Sequence, residues 1–231
     1  ILPNEDKEVS QWVEKVFKKK KINVLTGTLA DNIDDEKILI SVGVEGNSTG
    51  MGLKGLGLEF SDNNHIAVNE YGKTNIDNIY AVGDVIGAPW LAHVSAAEGL
   101  YVAEHLCGLN PKQIDYNSIP ACTYSKPEVA SIGDTEETLV DNNIEFKVAK
   151  SFFIANGKAV AVGSTDGFIK ILVGTKGNIL GAHIVGSNAT EMISELSIIK
   201  TNNLTIENIF NSVHPHPTFS EAIFETLLQL K

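Results

Sequence analysis

His214-Pro-His216-Pro-Thr218-Phe-Ser-Glu221 is the stretch that indicates most about this chain, because it places an imidazole five positions before a carboxylate. Proline fixes the backbone φ angle on both sides of His216. Apolar residues then recur at helical spacing, at Ala222, Ile223, Phe224, Leu227 and Leu228. The stretch therefore predicts a rigid loop that enters a helix. It also makes His216 a candidate general base that Glu221 orients.

The same letters have a purely structural interpretation. Thr218-x-x-Glu221 is the pattern of a capping box, in which both side chains satisfy backbone N–H groups of the first helical turn. From the residues alone, helix capping and acid/base chemistry both remain open for Glu221.

Composition excludes several classes of protein. The chain has 231 residues, 43% of them hydrophobic, which is enough to bury a substantial core. A formal net charge of -11 and the lack of any arginine argue against a nucleic-acid partner, because such partners require clustered cations. The one dense basic run, Lys18 to Lys21, follows an apolar helical pattern and is expected to complement the negative end of that helix. No apolar stretch reaches the roughly 20 residues that span a bilayer, so we expect no membrane insertion.

Two cysteines, Cys107 and Cys122, are too few and too irregularly spaced for a disulfide framework or a zinc site. Both are expected to be reduced, structural thiols, and no metal site is predicted.

The first half of the chain reads as parts of an α/β domain. A helix is predicted from Asn4, its cap, to Lys20, followed by strands at 23–26 and 37–42. A further short buried strand is predicted at 79–82, where Gly83 would let the chain turn and project Asp84 from the edge of a sheet. The glycines of Gly50–Gly55 fit a G-x-G-x-x-G pattern, but no strand runs into them, so a surface loop is predicted.

From about residue 117 the pattern changes to strands and hairpins. Strands are predicted at 145–149, 167–173 and 179–185, with a turn at Gly174–Asn178 between the last two. Asn188 is expected to cap the helix that follows. His183 falls on a strand and is expected to lie in the core. This half predicts an antiparallel sheet with flanking helices.

Several of these runs resemble the flavoprotein disulfide reductases, and within them the dihydrolipoamide dehydrogenase branch. The matching runs are His-x-His-Pro-Thr-x-Ser-Glu at His214–Glu221, Thr74–Asp84, Ala155–Ala159 and Ile179–Gly186. The resemblance implies that His216 is the acid/base and that Glu221 orients it. It implies that Asp84 holds the ribityl chain of FAD and that Leu91, Ala92 and His93 lie against the isoalloxazine. Gly43 would contact NAD.

The resemblance also implies an organisation and partners. Residues 1–72 correspond to the last part of an NAD-binding domain, 73–116 to the closing segment of an FAD-binding domain, and 117–231 to a dimerisation domain. The flavin fingerprint and the redox-active cysteine pair of the family precede these segments, so the chain is expected to be the C-terminal half of such an enzyme and inactive alone. A homodimer is implied, with lipoyl domains of a 2-oxo acid dehydrogenase complex or glycine cleavage system as partners, in the bacterial cytoplasm or an organelle matrix.

Three functions are therefore compared. The first is the oxidation of protein-bound dihydrolipoamide through an enzyme disulfide and FAD, with NAD as acceptor. The second is another reductase of the same class, of the glutathione or mercuric type. The third is a dimerisation module without catalysis. The spelling His-Pro-His-Pro and the run Gly83-Asp84-Val-Ile-Gly87 favour the first.

Overall fold

The computed structural model describes residues 1–29 and 36–231. The helices are α1 (Lys7–Lys19), α2 (Ala92–Leu106), α3 (Glu136–Asp141), α4 (Gly157–Ala161), α5 (Ala189–Thr201), α6 (Ile206–Phe210) and α7 (Glu221–Leu227). The strands are β1 (Ala121–Thr123), β2 (Val129–Gly133), β3 (Phe146–Phe152), β4 (Phe168–Gly174) and β5 (Ile179–Val185). The chain divides into two compact units. One combines Ile1–Leu29 with Tyr116–Lys231, and the other is Ala30–Asp115, described from residue 36 onwards.

The first unit is built on a five-stranded antiparallel sheet in the order β1-β2-β5-β4-β3. The antiparallel sheet with flanking helices predicted for this half is confirmed. Strand β5 has the predicted limits, and β3 and β4 begin one residue later than predicted. The predicted turn closes through a hydrogen bond of 2.9 Å from the Gly174 N–H to the Asn178 carbonyl. Strands β1 and β2 were not predicted.

Both faces of the sheet are covered, so β4 is buried along almost its whole length. Side chains of β4 alternate between the faces. Ile169 and Ile171 belong to the larger core cluster, which also contains residues of α5 and α7. Phe168 belongs to the smaller cluster on the other face, with Val9 and Val13 of α1. Each such fully buried side chain contributes about 1.5–3 kcal/mol relative to exposure.

Helix α1 is capped by Asp6, not by Asn4 as predicted. The Asp6 carboxylate accepts the N–H of Glu8 at 3.0 Å, and the helix starts at Lys7. Either residue type can cap a helix. The structure selects Asp6 because its carboxylate also meets a buried cation of the sheet, which local sequence does not reveal. Lys18 and Lys19 lie in the last turn, as expected for charges that complement a helix dipole.

That cation is Lys170, in the middle of β4. Its ammonium lies 2.8 Å from Asp6 Oδ2, 2.6 Å from Glu136 Oε2 and 3.2 Å from Glu8 Oε1. The side chains of Lys170 and Asp6 are 1% and 0% exposed. Burial alone would lower the pKa of Lys170, but the hydrogen bonds that it donates to Asp6 and Glu136 outweigh burial and the pKa is raised. Lys170 and Asp6 are therefore both charged, and their ion pair links the start of α1 to the sheet.

His183 lies opposite Lys170 across the β4–β5 ladder and is 1% exposed. Its Nε2 is 3.1 Å from the Asp134 carbonyl, and its buried Nδ1 has no hydrogen-bond partner within the described ranges. Burial lowers the pKa of this imidazole in spite of the nearby Asp6 carboxylate. His183 thus has the core position that its place on a strand predicted.

The second unit contains α2, several 3₁₀ turns and isolated bridges. The strand predicted at 37–42 is absent from its described residues, and Leu39 and Val42 are 93% and 92% exposed. At 79–82 there is only one bridge, between Lys73 and Tyr80, and these residues are half-buried. In the first unit the strand predicted at 23–26 is also missing. All three predictions were wrong because an apolar run shows strand propensity without showing whether a neighbouring strand supplies hydrogen bonds.

The prediction for helix α5 is confirmed only in part, and that for the Gly50–Gly55 loop is confirmed. Helix α5 forms where expected, but Asn188 makes no side-chain cap and lies in the left-handed region at φ +63°. The Gly50–Gly55 segment is an exposed loop with a 3₁₀ turn at Leu53–Leu56, as predicted. In the part of the chain that is described, no helix is long and apolar enough to cross a bilayer.

Candidate active site

His216 and Glu221 meet at the entrance of α7. The loop of residues 211–220 leaves α6 and turns so that His216 Nδ1 lies 2.8 Å from Glu221 Oε1. A carboxylate oxygen can only accept, so Nδ1 carries the proton and donates it. The other ring nitrogen, Nε2, is then the basic one. The His216 side chain is 76% exposed, which leaves that nitrogen open to a substrate.

Glu221 also belongs to the helix start. Its second oxygen, Oε2, accepts the Thr218 N–H at 2.7 Å, which is one half of the predicted capping box. The other half is absent, because the Thr218 hydroxyl donates to the Pro215 carbonyl at 2.8 Å. One carboxylate therefore both satisfies the backbone and holds the imidazole. The Thr218 N–H first, and His216 second, lower the pKa of Glu221, so the group stays ionised at neutral pH.

Asn156 braces the same loop from a different element. It is 2% exposed, and its side chain accepts the Ala159 N–H at 3.0 Å, which caps α4. Its Nδ2 donates to the Thr218 carbonyl at 3.1 Å. Gly157 comes next, and a Cβ placed there would stand 3.9 Å from His216 Cε1, so α4 begins beside the imidazole ring. Asn156 lies in the run Ala155–Ala159 that resembles the family, but its link to the site was not predicted.

Asp84 lies in the second unit, in the 3₁₀ turn Gly83–Ile86, and its side chain is exposed. Gly83 has φ +77°, and a Cβ there would approach Ser95 Oγ to 2.8 Å, so glycine is required by both conformation and space. The Gly83 N–H donates to Glu98 Oε2 of α2 at 2.7 Å. The turn that presents Asp84 is therefore fastened to α2 by Glu98, a buried residue that sequence reasoning missed.

Leu91, Ala92 and His93 form the start of α2, the helix that supports this turn. Leu91 is the N-cap residue, and its carbonyl accepts the N–H groups of Val94 and Ser95 at 3.0 and 3.1 Å. The side chain of Leu91 is half-buried, while those of Ala92 and His93 are exposed. A helix N-terminus with accessible backbone stabilises nearby negative charge.

Gly43 lies in an exposed stretch outside regular structure, with φ +142°. The structure thus brings His216 and Glu221 together in one unit. Asp84, Leu91, Ala92, His93 and Gly43 belong to the other unit, with Asp84 and the helix start on neighbouring elements.

The chain belongs to the pyridine nucleotide-disulphide oxidoreductase family. Residues 1–99 match the model described as pyridine nucleotide-disulphide oxidoreductase, and residues 119–227 match that of its dimerisation domain. The two models together account for most of the described chain.

Individual proteins agree with this assignment. A dihydrolipoyl dehydrogenase of Zymomonas mobilis is 40% identical over 99% of this chain and 54% of the relative, and one of Bacillus subtilis is 40% identical over 99% and 53%. The fold is that of the crystal structure of LpdA from Mycobacterium tuberculosis, which superimposes with a TM-score of 0.91 at 23% identity, over 99% of this chain and 54% of that one. The chain spans about half the length of the curated relatives it matches.

Proposed function

We propose that this chain supplies the acid/base site of a dihydrolipoamide dehydrogenase, which oxidises protein-bound dihydrolipoamide through an enzyme disulfide. The observation that carries the proposal is the 2.8 Å contact between His216 Nδ1 and Glu221 Oε1 on an exposed imidazole. The names of relatives that are 40% identical to this chain, over about half of their own length, support the same substrate.

The chemistry follows from the tautomer. With Nδ1 protonated against Glu221, Nε2 of His216 can take the proton of a substrate thiol and leave a thiolate, which is the nucleophilic form. The thiolate attacks one sulfur of the enzyme disulfide, so that its S–S bond breaks, a mixed disulfide forms and the other enzyme sulfur leaves as a thiolate. The second substrate thiol, as its thiolate, then displaces the enzyme sulfur from the mixed disulfide, which closes the oxidised lipoyl disulfide and leaves both enzyme sulfurs reduced. The imidazolium produced by the proton transfer to His216 faces the Glu221 carboxylate, which stabilises its charge. Cys107 is exposed at the end of α2, and Cys122 is a half-buried residue of β1.

The second unit would provide part of the cofactor sites. Asp84 has an exposed carboxylate at a fixed turn, a suitable acceptor for the hydroxyl groups of the FAD ribityl chain. Leu91, Ala92 and His93 would meet the isoalloxazine through the start of α2, and Gly43 would contact NAD. Bound FAD and NAD would accept the two electrons that leave the dithiol.

The remaining assignments are part of the same proposal. Residues 1–72, 73–116 and 117–231 would be parts of the NAD-binding, FAD-binding and dimerisation domains, and the last would form a symmetric homodimer. Its partners would be lipoyl domains of a 2-oxo acid dehydrogenase complex or glycine cleavage system, in the cytoplasm or an organelle matrix.

The test starts with the intact mass of the natural polypeptide. We expect a mass well above 24.9 kDa, a yellow protein and NAD-dependent turnover of dihydrolipoamide. In that protein His216→Gln should abolish most turnover while flavin absorbance is kept. His105→Gln, a histidine of the second unit, serves as the matched control and should be active. A natural polypeptide of 24.9 kDa without flavin would instead support the dimerisation module, and turnover of glutathione disulfide or Hg²⁺ alone would support the other reductases.

A further inference from the structure

A second histidine–glutamate pair accompanies the first. His214, two positions before His216, has its Nε2 2.8 Å from Oε1 of Glu195, a residue of α5. Its ring also packs against Phe224 of α7 at 5.8 Å between centroids. The two histidines of one short loop are thus fixed to different helices.

The two pairs differ in their access to solvent. The His214 side chain is 10% exposed, against 76% for His216. His214 Nε2 faces a carboxylate and therefore donates to it, and its Nδ1 is buried without a hydrogen-bond partner in the described chain. With one ring nitrogen held by Glu195 and the other buried, the geometry of His214 suits holding the chain in place.

The contact between His214 and Glu195 fixes one end of the loop that carries His216. On the N-terminal side the loop is fixed at His214 to α5. On the C-terminal side it is fixed at Thr218, whose N–H meets Glu221 and whose carbonyl meets Asn156. Only Pro215, His216 and Pro217 lie between these points, and both prolines have restricted φ. The His214 anchor therefore helps set where the His216 ring stands relative to Glu221.

We propose that Glu195 and His214 are positioning residues for His216, an inference that rests on the proposed function. The pair acts through the chain, because the hydrogen bond to Glu195 fixes His214, and with it the start of the loop, to α5. Loss of the pair should therefore loosen the His216–Glu221 contact.

The experiment compares Glu195→Ala with Glu195→Gln in the full-length, flavin-loaded protein. Alanine removes the acceptor, whereas the glutamine Oε1 can still accept from His214 Nε2. Glu191→Ala is the control, because Glu191 is an exposed glutamate of the same helix. Glu195→Met, of similar length, replaces the alanine variant if that one does not fold.

Two readouts are needed. The first is the ¹⁵N spectrum of the histidine rings, which reports the tautomer of His216 without any turnover. The second is kcat and KM for dihydrolipoamide at neutral pH. For Glu195→Ala we expect a His216 signal averaged between tautomers and a kcat about tenfold lower, with KM nearly unchanged, because misplacement of a reacting group acts on the chemical step. Glu195→Gln should restore the tautomer and most of kcat, and Glu191→Ala should behave as the wild type.

The proposal is overturned if Glu195→Ala keeps both the wild-type His216 tautomer and the wild-type kcat. It is also overturned if Glu195→Ala lowers only the melting temperature. If His216→Gln itself turns over normally, the proposed function fails. The ring spectrum then still decides whether Glu195 positions His216.

Discussion

Two clusters of ionisable groups lie in the same unit, and one is buried whereas the other is open to solvent. Asp6, Lys170 and His183 are each at most 1% exposed and lie between α1 and the sheet. His216 and Glu221 lie at the start of α7, and the imidazole is 76% exposed. The first cluster has its charges matched inside the protein, whereas the second leaves one basic nitrogen open. Burial, more than residue type, therefore separates a group that stabilises the fold from one that can contact a substrate.

The largest effect is expected from Lys170→Met, because it leaves the Asp6 carboxylate buried without its cation. Removing one partner of a buried pair costs about 3–5 kcal/mol of unfolding free energy. The measurement is urea unfolding at pH 7. Lys147→Met, at an exposed position of β3, is the control and should change stability by less than about 0.5 kcal/mol.

The double variant Asp6→Asn with Lys170→Met sharpens this result. Asparagine still caps α1, and no ion is left unpaired between these two positions, so most of the lost stability should return. If the double variant were as unstable as Lys170→Met, the buried ion pair would not be the reason for the loss.

His216→Gln should have the converse profile. Loss of a general base lowers turnover by about 10²–10⁴-fold, and the lower limit corresponds to about 2.7 kcal/mol of transition-state stabilisation. Because the ring is exposed, the unfolding midpoint should be close to that of the wild type. The assay is steady-state turnover of dihydrolipoamide by the full-length protein, with urea unfolding in parallel. If His216→Gln lost as much stability as Lys170→Met, the exposed cluster would also hold the fold together and the contrast between the two clusters would be wrong.

Glu221 has two roles, because it holds the His216 ring and also accepts the backbone N–H of Thr218. Two substitutions separate these roles. In Glu221→Gln the amide oxygen can still accept the Thr218 N–H, but the charge that faces His216 is gone. Turnover should fall about tenfold with little change in thermal melting. Glu221→Ala should slow turnover similarly and also lower the melting temperature. Normal turnover of Glu221→Gln would mean that the carboxylate is only a helix cap.

The smallest effect concerns pH. Burial lowers the pKa of His183 below 6.5, so at mildly acidic pH the unfolded chain binds a proton that the folded chain does not. Stability contributed by neutral His183 is therefore complete above pH 6.5 and declines below it, by at most about 1.4 kcal/mol per pH unit. His183→Gln should remove this decline in urea unfolding between pH 7 and pH 5. An unchanged slope would assign it to other groups.

Asp6 acts in a lower pH range. Burial raises its pKa, but the hydrogen bond from Lys170 outweighs burial, so the pKa lies below 3.8. Its contribution is present above that value and is lost as the pH falls through the folded-state pKa. The slope measured for His183→Gln between pH 7 and pH 5 is therefore free of this contribution.

The β4–β5 hairpin could be predicted well because its two strands are neighbours in sequence. Strands β4 and β5 are joined by the turn Gly174–Asn178, so each apolar run has its partner nearby. The runs at 23–26, 37–42 and 79–82 carry the same apolar signal, and no ladder forms at them in the described residues. Propensity was available in both cases, but the presence of a partner strand was not.

The candidate site shows a similar limit. The contact between His216 and Glu221 spans five positions and was predicted, since a single turn brings them together. The contact of His214 with Glu195 spans 19 positions and joins a loop to helix α5, so no local pattern indicates it. Lys170 is harder still, because it interrupts an apolar strand and its partner Asp6 is 164 positions away.

That separation bears on the order in which the molecule assembles. During synthesis Asp6 emerges long before Lys170, and the sheet face that carries Lys170 cannot close favourably until α1 has returned to it. An ammonium group without its carboxylate would oppose such closure. We therefore expect helix α1 to dock late in folding, after strand β4 has joined the sheet, so that Lys170 is buried only together with Asp6.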